Sequence, residues 1–426
     1  MSDKADARPG VEPDVMPRLD VMPSAKADES DRASRGGSPA ADSHAFGAAA
    51  REHFLLESDA VYLNHGAYGA VSQRVIEAQA DWRRHVERHP SRFMRHELGG
   101  LLRRTAGTLG DYVGASGEDI VFLDNATTAI NAVLRSFVLM PGDEVVTTSH
   151  CYGAVMRTLE FVCDRADARL IIADLPFPME HPEQAVDAVM GALSARTRLL
   201  VIDHATSKTA LVLPVEEIVA EARDRGIAVL IDGAHGPGML PLEIERLGAD
   251  YYAANAHKWL GAPRGSAMLW AAPERQPYVR PTTISHFVAD GFTPAFDWPG
   301  TKDFTAYLSI PAALDFRARW GEEPIRRYCT DLMRAAARQV ARDLGTERGG
   351  PDSMTAFMAA VALPADATGP AKKPQAERLR RQLLDAHDIE VDIQPVEGRL
   401  WLRLCAYLYN EAGDYERLSA ALKKVL

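Results

Sequence analysis

Three residues within one stretch have types that could do chemistry together. Asn255, His257 and Lys258 fall between the apolar run at Tyr251–Ala254 and the glycines Gly261 and Gly265. A lysine so placed can simply be a solvated surface charge, as most lysines are. Asp232 changes that balance. It closes the apolar run Ile227–Ile231 and is followed by Gly233, Ala234 and His235, and an acid ending an otherwise apolar strand needs a charged or hydrogen-bonding partner. An amine and a carboxylate in this arrangement suit pyridoxal phosphate chemistry: the amine forms a Schiff base with the aldehyde, and the carboxylate keeps the pyridinium nitrogen protonated. Lys258 and Asp232 are the candidates. The phosphate needs its own place, and Asn125–Thr128 (NATT) lies at a join of strand and helix, where free N–H groups, the helix dipole and two hydroxyls favour an anion. An ordinary N-cap would read the same way.

Positioning these residues takes a repeating frame. Asp119 to Leu123 reads as a strand; Ile130, Val133, Leu134 and Phe137 then fall on one helical face; Glu144 to Thr148 returns to strand. The alternation continues through Arg169–Ala173 (strand), Glu183–Leu193 (helix), Arg198–Asp203 (strand), Val215–Ala222 (helix) and Ala228–Asp232 (strand). Such a chain predicts an α/β fold, a mostly parallel sheet with helices on both faces, and ligands beyond the carboxyl ends of its strands. Past Thr301 the texture changes. Helices around Ala306–Arg319 and Pro324–Leu344 lead to an apolar run at Met354–Leu363. A helix near Gln375–Asp385, strands at Glu390–Ile393 and Leu400–Leu404, and a last helix from Asp414 follow. We expect a large domain over 46–300, a smaller α+β domain over 301–426, and loops at Gly349–Gly350 and Pro364–Lys373. Residues 1–45 are rich in Pro, Ser, Ala, Asp and Gly and read as a disordered tail.

Composition excludes several alternatives. The 426 residues carry a net charge of −11, which opposes binding to nucleic acid or anionic lipid, and no apolar run approaches the roughly 20 residues of a bilayer span. The four cysteines are widely separated with no CxxC spacing, so no metal site or disulfide framework is expected and a reducing, cytoplasmic setting fits. No signal or transit peptide is read at the N-terminus.

From about Val61 to the C-terminus the sequence resembles the class V branch of fold-type I pyridoxal-phosphate enzymes, and within it the isopenicillin-N-epimerase-like group. The resemblance is carried by Tyr62–Gly69 (YLNHGAYG), Asn125–Thr128, Asp203–Ser207 (DHATS), Asp232–His235 (DGAH), Ala256–Lys258 (AHK) and Gly300–Thr301. It implies a homodimer with shared active sites, an amino-acid substrate, and a segment 46–65 packed on the small domain. Residue by residue it implies Lys258 as Schiff base and proton shuttle, Asp232 as pyridinium partner, and His235 and Ser207 beside the cofactor's 3-oxygen. Ala126, Thr127 and Thr128, with Asn255 and His257, would form the phosphate cradle, and Thr301 would reach the phosphate of the neighbouring subunit. Tyr152 matches the position whose ring stacks on the cofactor, although a buried tyrosine would serve structure alone. Arg403 matches the arginine that binds the substrate carboxylate, where the strand pattern alone suggests an exposed residue. His65 matches a substrate-side loop position, with a structural histidine as the other reading. Lys208 and His96 depart from the family's pattern near the expected entrance.

The cofactor does not choose the reaction. No cysteine lies between Asp385 and Arg403, which disfavours persulfide formation on a mobile loop, and Cys405 reads as a small core residue. Epimerisation at Cα, with Lys258 and a second acid such as Tyr152, His65 or a water, is the first expectation. Elimination from an S-conjugated cysteine, or its decarboxylative deamination, is the second. A non-catalytic cofactor-fold module is a third reading, opposed by the presence of both Lys258 and Asp232.

Overall fold

A computed structural model describes residues 45–365 and 371–426. The expected tail therefore lies, but for its last residue, outside the described residues, as do residues 366–370 of the expected loop. In chain order the strands are β1 (Val61–Tyr62), β2 (Ile120–Leu123), β3 (Glu144–Thr148), β4 (Arg169–Ala173), β5 (Thr197–Asp203), β6 (Ala228–Asp232), β7 (Tyr251–Asn255), β8 (Ala267–Ala271), β9 (Met358–Ala362), β10 (Ile389–Glu390), β11 (Asp392–Val396) and β12 (Arg399–Cys405). Seven of them form one sheet in the order β2-β8-β7-β6-β5-β3-β4. β8 runs antiparallel to both neighbours and the remaining adjacent pairs are parallel. The interior strands read as unbroken apolar runs because both their faces are covered; β6, β7 and β8 are buried at every position. β4, at the edge, is half exposed.

The expected βαβ units are present. Helix Ala126–Ser136 buries Ile130, Val133 and Leu134 on the sheet. The stretch read as one helix at Ala306–Arg319 is two, Thr305–Leu308 and Ile310–Ala318, because Pro311 stands in the first turn of the second. The run Met354–Leu363 becomes β9, which joins β12 and β11 in a three-stranded antiparallel sheet. The N-terminal segment returns to this part of the molecule. Phe46 stacks on Tyr328 at 4.2 Å, the Gly47 N–H donates to the Leu408 carbonyl, and β1 pairs in parallel with β10. Among the described residues no helix is long and apolar enough to cross a membrane.

Strand order reverses between β3 and β5, since the chain leaves β3 toward β4 and then re-enters on the other side at β5. A crevice beyond the carboxyl ends of the strands follows from that reversal.

Candidate active site

The carboxyl ends of β5, β6 and β7 carry Asp203, Asp232 and Asn255, all buried. Asp203 and Asp232 are register partners on adjacent parallel strands. Their carboxyls have little to answer them: Asp232 accepts one bond from the Ala234 N–H at 3.0 Å, and Asp203 is faced by the Tyr152 backbone N–H. Burial raises both above the usual carboxylate range, and the neighbouring Asp232 pushes Asp203 further up. Lys258 is the cation that bears on both carboxyls, and a protonated ring nitrogen would supply a second.

Lys258 follows β7 by three residues. Its amine lies 3.1 Å from His235 Nε2 and is pushed down to about 8, first by burial and then by the Arg403 guanidinium; Asp232, Cys405 and Asp203 oppose that shift. His235 is buried and held well below the ordinary imidazole value by burial and by Lys258. The lysine's backbone is tied down as well. His65 Nε2 meets the Lys258 carbonyl at 3.1 Å, and the Trp259 carbonyl accepts from Arg317 at 2.8 Å and from the Tyr407 hydroxyl at 3.3 Å.

Helix Ala126–Ser136 points its N-terminus at the same crevice. Asn255 Oδ1 accepts the Ala126 N–H and Asn125 Oδ1 accepts the Thr128 N–H, each at 2.8 Å. That leaves Thr127 to offer its amide and hydroxyl to an anion. His257 donates from Nδ1 to the Ser266 carbonyl at 2.9 Å and is lowered to about 4 by burial.

A cavity of about 720 Å³ opens beside Lys258. Its walls are Asn64 and Gly66–Tyr68 from the N-terminal loop, Tyr152, Ser207 and Arg403 from the crevice, and Glu377, Arg380, Arg381 and Asp385 from helix Lys373–His387. Arg403 sits on β12 and is almost fully buried, not exposed as its strand pattern alone suggests. It donates to the Ser207 carbonyl and to Asn64 Oδ1, each at 2.9 Å, and pairs with Asp392 at 3.3 Å. Its Nε is a buried donor without a partner among the described residues.

The structure thus brings together Lys258, Asp232, His235, Asn255, Ser207, Tyr152, Arg403 and the Ala126–Thr128 turn. Two expectations are corrected. His65 does not face the substrate side: it is fully buried, stacked on Tyr407 at 3.7 Å, with one nitrogen on the Tyr409 hydroxyl and the other on the Lys258 carbonyl. Lys208 and His96 are absent from the cavity wall, and His96 is exposed on the turn Phe93–Glu97. Thr301, expected at the phosphate of a neighbouring subunit, is exposed and lies off this chain's own cavity wall. Cys405 is buried beneath Gly66, whose N–H points at its sulfur, as a core residue would be. Sequence reading left Asp203 without a role although it ends an apolar strand just as Asp232 does, and it left Trp259 and Arg317 unremarked.

The model of the aminotransferase class-V family matches residues 61–370. The chain belongs to that family. Among its class-V relatives, isopenicillin N epimerase of Streptomyces clavuligerus is 31% identical over 391 residues, covering 88% of this chain and 96% of that one. A putative L-cysteine desulfhydrase of Oryza sativa subsp. japonica is 30% identical over 405 residues, covering 87% and 84%. The fold is shared with a cystine C-S lyase solved with its product cysteine persulfide, at a TM-score of 0.74 and 21% identity over 86% of this chain and 97% of that one. The class-V chain described here is accordingly a pyridoxal-phosphate-dependent enzyme, related to cysteine desulfhydrases, C-S lyases and isopenicillin N epimerases. Its donor set fits the cofactor: a buried amine, a buried acid pair, and a helix N-terminus with donors to spare.

Proposed function

We propose that this chain is a lyase that removes the Cα proton of an S-substituted cysteine and releases the sulfur substituent from Cβ. The carrying observation is that Lys258 is the one amine or imidazole on the cavity wall among the described residues. Elimination needs one base at Cα; epimerisation needs a second acid on the opposite face, and of the groups expected to supply it, Tyr152, His65 or a water, His65 is spent on Tyr409 and the Lys258 carbonyl.

In this reading Lys258 would hold the cofactor by its aldehyde, Asp232 would serve its ring nitrogen, His235 and Ser207 its ring oxygen, and Ala126–Thr128 with Asn255 and His257 its phosphate, while Tyr152 would pack on the ring. When bound, the cofactor draws electron density from Cα and makes the proton there removable. Arg403 takes the substrate α-carboxylate with its spare Nε–H and the adjacent guanidinium N–H, which fixes Cα toward Lys258. The Lys258 amine accepts the Cα proton and becomes an ammonium. The Cβ–S bond breaks with its electron pair on sulfur, and the thiolate takes up a proton. With one water consumed, the products are a thiol, pyruvate and ammonium. The cavity continues past Arg403 along helix Lys373–His387, which supports a substrate larger than free cysteine. The exposure of Thr301 supports its use across the interface of a homodimer.

Epimerisation is the second reading, supported by the phenols of Tyr152 and Tyr68 on the wall. Incubation with S-alkyl and S-conjugated cysteines in deuterated water separates the two. Pyruvate and free thiol support the lyase; deuterium at an inverted Cα with no pyruvate overturns it.

A further inference from the structure

A buried chain of hydrogen bonds decides where one proton sits. Trp259 Nε1 lies 3.0 Å from His235 Nδ1, and His235 Nε2 lies 3.1 Å from Lys258 Nζ. Trp259 and His235 are 0% and 2% exposed, so water does not intervene to relax the pattern. An indole N–H can only donate. His235 Nδ1 must therefore accept, and a neutral imidazole that accepts at Nδ1 carries its proton at Nε2. An imidazolium would set its Nδ1–H against the indole N–H, so the charged form is disfavoured too. The Nε2–H points at Lys258 Nζ and asks for a lone pair. A free amine has one; an ammonium has none.

We infer that Trp259 is a positioning residue that locks His235 in its Nε2–H tautomer and so holds Lys258 as the free amine, the form that can attack an aldehyde. This rests on Lys258 being the cofactor lysine, as proposed above. It goes further by giving a task to a residue that is absent from the cavity wall.

The indole cannot swing away from that task. It packs edge-on to Phe357 with ring centroids 5.6 Å apart. The backbone carbonyl behind it is held by Arg317 and Tyr407. Gly66 also lies close: a Cβ there would stand 3.0 Å from the indole ring.

Other groups bear on the Lys258 amine through charge: Arg403 and Cys405 from β12, Asp203 and Asp232 from the ends of β5 and β6. His257, on the same loop, bears on His235, and His65 from the N-terminal loop meets the lysine's backbone carbonyl and not its amine. Arg403 favours the amine, whereas Asp203, Asp232 and Cys405 favour the ammonium. His235 adds a directional preference that charge does not supply, because a donor aimed at nitrogen rewards one protonation state only. Without the indole, the imidazole is free to move its proton to Nδ1. Its bare Nε2 can then accept from an ammonium.

The test uses the full-length chain freed of cofactor. Lys258 is labelled competitively with acetic anhydride over a pH series and read by mass spectrometry, which gives the midpoint of its titration without any assay of activity. Trp259→Phe is expected to raise that midpoint by about one to two units, the worth of one hydrogen bond to a charged group. His235→Gln is expected to leave it within about half a unit, since a carboxamide can accept from Trp259 and still offer N–H to the lysine. An unmoved midpoint in a folded Trp259→Phe protein overturns the inference, and so does a midpoint raised equally in His235→Gln. Neutron diffraction from the unaltered protein decides the matter without a variant: a deuteron on Nε2 supports the lock and one on Nδ1 overturns it. Borohydride fixation of the cofactor tests the underlying reading separately, because an adduct on Lys258 leaves that reading standing whatever the midpoint does.

Discussion

Replacing Arg403 by lysine keeps a cation near the cavity and removes the planar fork. In the structure two of its three nitrogens are engaged, by Ser207 and by Asn64 with Asp392, while Nε is buried without a partner. A carboxylate on that edge gains two charge-assisted bonds, and a lysine can offer one. Losing one such bond costs about 1.5–3 kcal/mol, a rise in KM of roughly tenfold to a hundredfold. Arg403→Gln loses the charge as well and should cost roughly a hundredfold to ten-thousandfold on the same scale. Asp392 keeps Arg380 at 2.8 Å in either variant, so the fold is not left with an unpaired carboxylate. The assay is initial-rate kinetics on an S-substituted cysteine beside a cofactor dissociation constant from equilibrium dialysis. Cofactor affinity should change less than about threefold, because the fork is aimed at the substrate side. A second sign can be worked out. Arg403 pushes the Lys258 amine down, so removing that cation favours the ammonium and moves the acid limb of the pH–rate profile to higher pH in Arg403→Gln, and not in Arg403→Lys. An unchanged KM in Arg403→Lys, or an equal loss of cofactor, would refute the assignment.

Further expectations concern the buried charges. Arg317 is fully buried, donates to the carbonyls of Trp259 and Gly238 and is paired with Glu322 at 2.6 Å. Arg317→Met should lower unfolding stability in urea by about 3–5 kcal/mol, whereas Arg84→Ala, which breaks an exposed pair with Asp81, should cost less than about 1 kcal/mol; similar losses would count against the clamp. Asp203 and Asp232 end adjacent strands and are both buried, but Asp232 alone is assigned the ring nitrogen, so Asp232→Asn should weaken cofactor binding roughly a hundredfold and Asp203→Asn by less than about threefold; equal losses in dialysis would refute that division of roles. His150 is buried with an unpartnered Nε2 and is lowered from 6.5 to about 4 by burial. Its stability contribution is complete above pH 6.5 and is lost as pH falls toward 4, so between pH 7.5 and 5 the unaltered protein should lose about 2 kcal/mol more than His150→Gln; parallel urea curves would reject this.

Much of this arrangement could be read from the amino acids because the buried strands announce themselves as apolar runs ended by acids. Strand direction is a different matter. Ala267–Ala271 is apolar whichever way it runs, and its antiparallel course is set by the return of the loop through residues 256–266. Arg403 alternates with apolar neighbours, a pattern shared by an exposed strand residue, and only its tertiary partners reveal a buried fork. His65 left two readings open, a substrate-side contact and a structural histidine. Stacking on Tyr407 turns the ring inward and favours the second, and nothing in the local sequence encodes a partner more than three hundred residues away. The wall formed by helix Lys373–His387 left a trace that was there to be used. Glu377, Arg380, Arg381, Leu384 and Asp385 recur at helical spacing, the same period that marks an apolar face.

The pairing of β1 with β10 joins the beginning of the described chain to its final third. Residues 61–62 thereby act as a hinge pin for the loop whose Asn64 and Tyr68 face the cavity. Trimming the chain between positions 45 and 63 would unhook one jamb of the doorway to the reaction chamber. A fusion partner for purification belongs upstream of that span, and a nick placed within it offers a way to disable the enzyme while sparing its seven-stranded frame.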